Sequence, residues 1–96
     1  MNNTNTKAQE ACLTWICDPG HSWLAVSIDK NYGLPEAVEF ASIYSYYDKG
    51  SSTVFLEEDC DAREFINKHG IDFNAIPIHE FEDQNHFVRN LPSYTN

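Results

Sequence analysis

The sequence predicts an α+β domain: a small, mainly antiparallel sheet of four or five strands with one principal helix packed on it. Three observations lead there. Short runs rich in β-branched and aromatic residues (CLTWIC, SWLAVSI, ASIYSYY and STVFLEE) are separated by clusters of turn residues. One stretch, DCDAREFINKHG, carries a helix start, an apolar face and a helix stop together. Finally, 96 residues that are 42% hydrophobic and 14% aromatic suffice for one core and not for two.

Residues 1–10 are polar and read as a flexible arm, with a single domain over 11–92 and a frayed tail over 93–96. CLTWIC, residues 12–17, is the first expected strand. SWLAVSI, 22–28, is the second, with Leu24, Val26 and Ile28 on one face and Trp23, Ala25 and Ser27 on the other. Between them stands Asp18-Pro19-Gly20-His21. Proline at the second and glycine at the third position suit a type II turn, because proline sets φ and glycine accepts a positive one. That turn matches strand twist poorly in a two-residue hairpin, so a wider loop or a bend between strands is equally compatible.

DKNYGLPEAVEF, 29–40, opens with turn residues and continues as a short helix or irregular connection, with Pro35 suited to the first helical position. ASIYSYY, 41–47, reads as a strand with Tyr44 and Tyr46 on one face and Ile43, Ser45 and Tyr47 on the other. The turn Asp48-Lys49-Gly50-Ser51 joins it to STVFLEE, 52–58. In the helix, Asp61 is the expected cap with Glu64 three residues on, and Cys60 and Phe65 occupy staple positions. Ala62, Phe65, Ile66 and His69 share a face, Lys68 and His69 suit the macrodipole, and Gly70 stands at the stop. AIPIHEF then reads as an edge strand, since Pro77 lacks a donor, and NHFVRNL as a short closing helix.

Fifteen acids against 6 bases give a net charge of −9. Such a field repels phosphate and anionic lipid, which argues against direct nucleic-acid or membrane binding and toward a protein partner with a basic surface. The same charge also suits a solvated acidic surface that maintains solubility. An odd cysteine count and a polar start lead us to expect a soluble protein of the reducing cytoplasm. No apolar run is long enough to cross a bilayer. The triplet Asn2-Asn3-Thr4 matches a glycosylation pattern that has meaning only after secretion.

Several groups have residue types that carry chemistry. The acids Glu57, Glu58, Asp59, Asp61 and Glu64 suit a divalent cation or a general acid and base, but helix capping and solvation explain them as well. A calcium loop starting at Asp59 fails, because its sixth position is Glu64 and its twelfth is Gly70. Cys60 stands at a helix start, where the dipole favours thiolate, yet four nearby carboxylates oppose it. It reads as a buried packing residue. Cys12, Cys17 and His21, completed by Cys60 or His69, have the makings of a zinc site, although Cys12 and Cys17 have opposite parity along one strand. His21 beside Asp18 reads either as a general base oriented by a carboxylate or as an imidazole that satisfies its turn and packs on Trp23. Tyr44, Tyr46 and Tyr47 are candidate interface anchors; for stacking nucleic-acid bases the chain has too few cations. No nucleophile elbow, phosphate loop or H-E-x-x-H helix occurs, and no cofactor is expected.

With DPGHSWL, YSY and LEEDCD in view, the chain resembles a family of small uncharacterised proteins of bacteria, their phages and mobile elements. The resemblance rests on Asp18 to His21 with Trp23 and Leu24, on Tyr44 to Tyr46, and on Leu56 to Asp61, within residues 15–92. Ser22 stands where that family usually has glycine. The resemblance implies an accessory role in a bacterial or phage setting, where small acidic proteins that block nucleic-acid-handling enzymes are a known strategy. The expected function is thus a non-enzymatic binding module, with Glu57, Glu58 and Asp59 in place of phosphates and Tyr44, Tyr46 and Trp23 as anchors. Two alternatives stand beside it: a small metal-dependent or acid/base hydrolase using His21, Asp18 and the Glu57–Asp61 cluster, and a homodimer joined through tyrosine-bearing strands.

Overall fold

The computed structural model describes residues 12–94. The expected arm, residues 1–10, lies outside them, as do 95 and 96 of the tail. Five strands, β1 (Leu13–Cys17), β2 (Ser22–Ser27), β3 (Tyr46–Asp48), β4 (Thr53–Glu57) and β5 (Ile78–Glu80), form one sheet in the order β3-β4-β2-β1-β5. β1–β2, β2–β4 and β3–β4 pair antiparallel, and β5 joins β1 in parallel. The α+β expectation holds, and Arg63–His69 forms the one α-helix among the described residues, α1.

The alternation in β1, β2 and β4 supplies two apolar faces, and the chain covers both, so the single core expected from the chain length is corrected to two clusters that share one sheet. Leu13, Trp15, Leu24, Val26, Val54 and Leu56 pack against Ala62, Phe65 and Ile66 on the helix side. This is the larger core, and burying each of its Leu, Val, Ile or Phe side chains contributes roughly 1.5–3 kcal/mol. Ile16, Trp23 and Phe55 face the other way, where Val88, Phe81 and Leu91 close over them. The closing segment is a single turn of 3₁₀ helix, Phe87–Asn90. Pro35 begins a similar turn, Pro35–Phe40, as its fixed φ favours. Pro77 sits at the sheet edge and contributes a carbonyl to Trp15 N–H at 2.8 Å.

Three local expectations are corrected. First, the strand expected over 41–47 is reduced to β3, because residues 42–45 form a turn around a buried acid. Asp61 is 6% exposed, and its Oδ2 accepts from Ser42 N–H at 2.8 Å, Ser42 Oγ at 2.6 Å and Ser45 Oγ at 2.6 Å. Second, Asp61 is therefore not the helix cap. The helix begins earlier, as a wide turn over Glu58–Ala62, and Glu57 caps it by accepting from the backbone N–H of Asp59 and Cys60. Cys60 is exposed rather than buried, since this turn points it away from α1's apolar face. Third, Gly20 does not take the positive φ of a type II turn; among the described residues Ser52 and Gly70 occupy that region. Of the two readings of this stretch, the wider loop is the one that forms, closed by Asp18 N–H to the His21 carbonyl at 2.9 Å. Gly70 ends α1 at φ 61°, as expected.

Ser93 and Tyr94, assigned to the frayed tail, are tied to the sheet. Ser93 bridges Tyr46, and Tyr94 N–H donates to the Ser45 carbonyl at 2.8 Å. The outer edge of β3 is thereby covered.

Two substitutions check this architecture. A β-carbon on Gly33 would lie 2.3 Å from the Ser27 carbonyl oxygen, whereas one on Gly50 meets its nearest neighbour at 3.6 Å. Gly33→Ala should lower the urea midpoint strongly and Gly50→Ala only slightly; equal effects would contradict the loop packing. Asp61→Ala removes the acceptor of three hydrogen bonds. A loss of about 3 kcal/mol in denaturant unfolding is expected, and a loss within error would show the turn to be held by other means.

Candidate functional site

At the end of the sheet where β2 begins and β4 ends, Trp23 pairs with Glu57. Both stand on the face opposite α1. Here the β1–β2 loop, the 42–45 turn and the C-terminal segment converge on a concavity of about 380 Å³. Trp23 lies at its base, 2% exposed. Tyr44, Tyr46, Glu57, Asp59, Cys60, His21 and Arg89 are among the residues that line it.

The foundation of this end of the sheet is Asp18, whose side chain is 0% exposed. Its Oδ1 accepts from Gly20 N–H and His21 N–H, both at 2.8 Å, and from Arg89 Nη2 at 3.0 Å. Its Oδ2 accepts from His86 Nε2 at 2.7 Å and Arg89 Nε at 2.8 Å. Arg89 thus forks onto the carboxylate, a strong charge-assisted arrangement. The Arg89 bond, above all, holds the Asp18 carboxyl far below the usual carboxylate range; burial opposes the shift, while His86 and the two backbone N–H groups add to it.

Asp18 consequently has no acceptor capacity to orient a catalytic imidazole in the cleft. It bonds the His21 backbone rather than the ring. The ring it does bond, His86, is sealed: it stacks on Phe81 at 4.2 Å and 5°, and meets Trp23 edge-on at 5.8 Å. His86 Nδ1 is buried without a hydrogen-bond partner among the described residues. His86 therefore serves the turn and the second core. His21 stacks on Trp23 with centroids 5.9 Å apart, and its Nδ1 lies 3.2 Å from Arg89 Nη2. Arginine only donates, so Nδ1 accepts and the proton of the neutral ring sits on Nε2. The lone pair that a general base would use is already engaged.

Of the six expected partner-binding residues, the structure gathers five. Trp23, Tyr44, Tyr46, Glu57 and Asp59 line one concavity, whereas Glu58 is exposed outside it. Their roles differ from the expectation in two respects. Trp23 is a buried base, not a projecting anchor, because it fills the second core. Glu57 spends its carboxylate partly on the helix start. The proposed zinc ligands are not brought together. Cys12 and Cys17 pack on the α1-facing core, while His21 and Cys60 line the concavity on the other face. Burial also pushes the Cys12 thiol up, against the thiolate that zinc requires. Among the described residues no group of three or more His, Cys, Asp or Glu side chains is placed to hold a metal ion.

Sequence reasoning missed His86 and Arg89, which it placed in a closing helix without a role. Their i, i+3 spacing puts both on one side of a 3₁₀ turn and was the available signal.

Because Asp18's folded carboxyl titrates below its unfolded value, its stabilisation is complete above about pH 4 and is lost as pH falls further. Asp18→Asn should cost about 3 kcal/mol near neutral pH by leaving Arg89 without its charge partner. The variant should also lose stability less steeply than the parent below about pH 4. Parallel acid profiles for the two proteins would contradict this assignment.

No protein-family model matches the chain, and neither a curated protein nor a solved structure matches it.

Proposed function

We propose that this protein is a non-enzymatic binding module that docks on a basic, nucleic-acid-binding surface of a partner protein and masks it. The observation that carries the reading is the convergence of Tyr44, Tyr46, Glu57 and Asp59 over Trp23 in one concavity. These residues come from separate stretches of the chain, and aromatic rings beside carboxylates suit contact with cationic side chains. The net charge of −9 supplies long-range attraction to a basic partner and repels free nucleic acid.

The odd cysteine number supports a cytoplasmic setting, and the resemblance to phage and mobile-element proteins supports an accessory role against a host enzyme. Among the described residues no helix is long and apolar enough to cross a membrane. The hydrolase alternative is less well supported, since Asp18 is fully engaged and His21 Nδ1 is occupied.

Native mass spectrometry of untagged protein from its own host would identify a co-purifying partner, a metal or a second copy in one spectrum. The partner complex should weaken by about tenfold or more between low salt and about 0.5 M salt, and nucleic acid should compete with the protein for the partner. Binding that ignores salt, or a chain that carries only a metal ion, would overturn the proposal.

A further inference from the structure

We infer, on the basis of that masking role, that the concavity receives one arginine side chain of the partner, with the guanidinium lying against Tyr44 and facing Asp59. At about 380 Å³ the space is at the small end for a ligand site, a size suited to one side chain. Its charge balance favours a cation. Arg89, the one lysine or arginine among the lining residues, is already forked onto Asp18, so that pair is neutral. Glu57 and Asp59 remain as negative charge. Glu57 is partly committed to the helix start, but the Asp59 carboxylate makes no hydrogen bond or ion pair among the described residues.

The rings discriminate further. Trp23 already carries the Arg89 guanidinium 5.5 Å above it and the His21 ring 5.9 Å away. Tyr44, by contrast, is 68% exposed. Its backbone is held in place: Tyr44 N–H donates to Ser42 Oγ at 3.2 Å, and Ser42 is anchored on buried Asp61. An exposed ring on a fixed turn, lining the same concavity as an unpaired carboxylate, suits a planar cation, which stacks by its face and bonds by its edge. An ammonium is more strongly hydrated and has no face to stack. The chain uses the same arrangement internally, where Arg89 lies over Trp23 and forks onto Asp18.

The test is to titrate the full chain with N-acetyl-arginine amide, its lysine counterpart and its citrulline counterpart, following amide and indole NMR signals. Citrulline keeps the shape of arginine without the charge. Arginine amide should shift the signals of Trp23, Tyr44, Tyr46 and Asp59 and leave the Trp15 indole, on the other face, in place. Lysine amide should bind more weakly, and citrulline amide should not bind. Tyr44→Ala and Asp59→Asn should each weaken arginine-amide binding by about fivefold without moving the unfolding midpoint, both side chains being exposed. Absence of shifts at these residues, an equal response to citrulline, or lysine binding as tight as arginine would overturn the assignment. Salt-sensitive partner binding without an arginine-amide response would leave the masking role standing and remove the arginine site. Salt-insensitive partner binding with an intact arginine-amide response would do the reverse.

Discussion

Asp18 is the residue on which the concave end of the sheet depends. Its buried carboxylate accepts from Gly20, His21, His86 and twice from Arg89. A buried charge is costly unless it is paired and its lone pairs are met, and here the partners come from opposite ends of the chain. The local bonds shape the hairpin loop. The distant ones draw the C-terminal segment across the second face of the sheet, so that Val88 and Phe81 cover Trp23, Ile16 and Phe55. Arg89 is thereby set over Trp23 and beside His21. One carboxylate defines the loop, the lid of a core and the base of the concavity.

Asp61 does comparable work a short distance away. It binds the 42–45 turn, and Ser45 Oγ, which donates to Asp61, also accepts Glu57 N–H at 3.0 Å. The end of β4, the helix start and the Tyr44 turn are therefore linked through one small polar cluster. Buried networks of this kind, once fully satisfied, specify a single arrangement more sharply than apolar packing does. The wall and the base of the concavity are each held by a buried acid.

This changes how the acidity of the chain is understood. Fifteen acids suggest a uniform negative surface, yet Asp18 and Asp61 are internal and Glu57 is partly internal in its bonding. The charge left in this concavity is concentrated in Asp59 with a share of Glu57, among aromatic rings. For the proposed binding role, this arrangement would favour selective contact with a cationic side chain over diffuse attraction alone. The Asp18 carboxylate, for its part, bonds the backbone of His21 and the side chains of His86 and Arg89 rather than the His21 ring.

Local patterning was legible wherever the relevant partners lie within a few residues. Alternation located β1, β2 and β4 and their two faces, Pro35 and Gly70 marked a helix start and a stop, and Pro77 marked an edge. Where a residue type serves two purposes, local reading gave the wrong one. An aspartate near a helix start is a good cap and also a good buried acceptor, and the position of Ser42 and Ser45 in space chose the second for Asp61. The same choice turned 42–45 away from the strand its alternation suggested and left Glu57 to cap the helix. The candidate residues Tyr44, Tyr46, Glu57 and Asp59 were identifiable by type, but their convergence was not. Least visible was the Asp18 cluster, whose partners stand 68 and 71 residues away in the chain. Periodicity reports the faces of an element; it carries no information about which distant donor will neutralise a buried charge, and that pairing is settled only when the sheet brings both ends of the chain together.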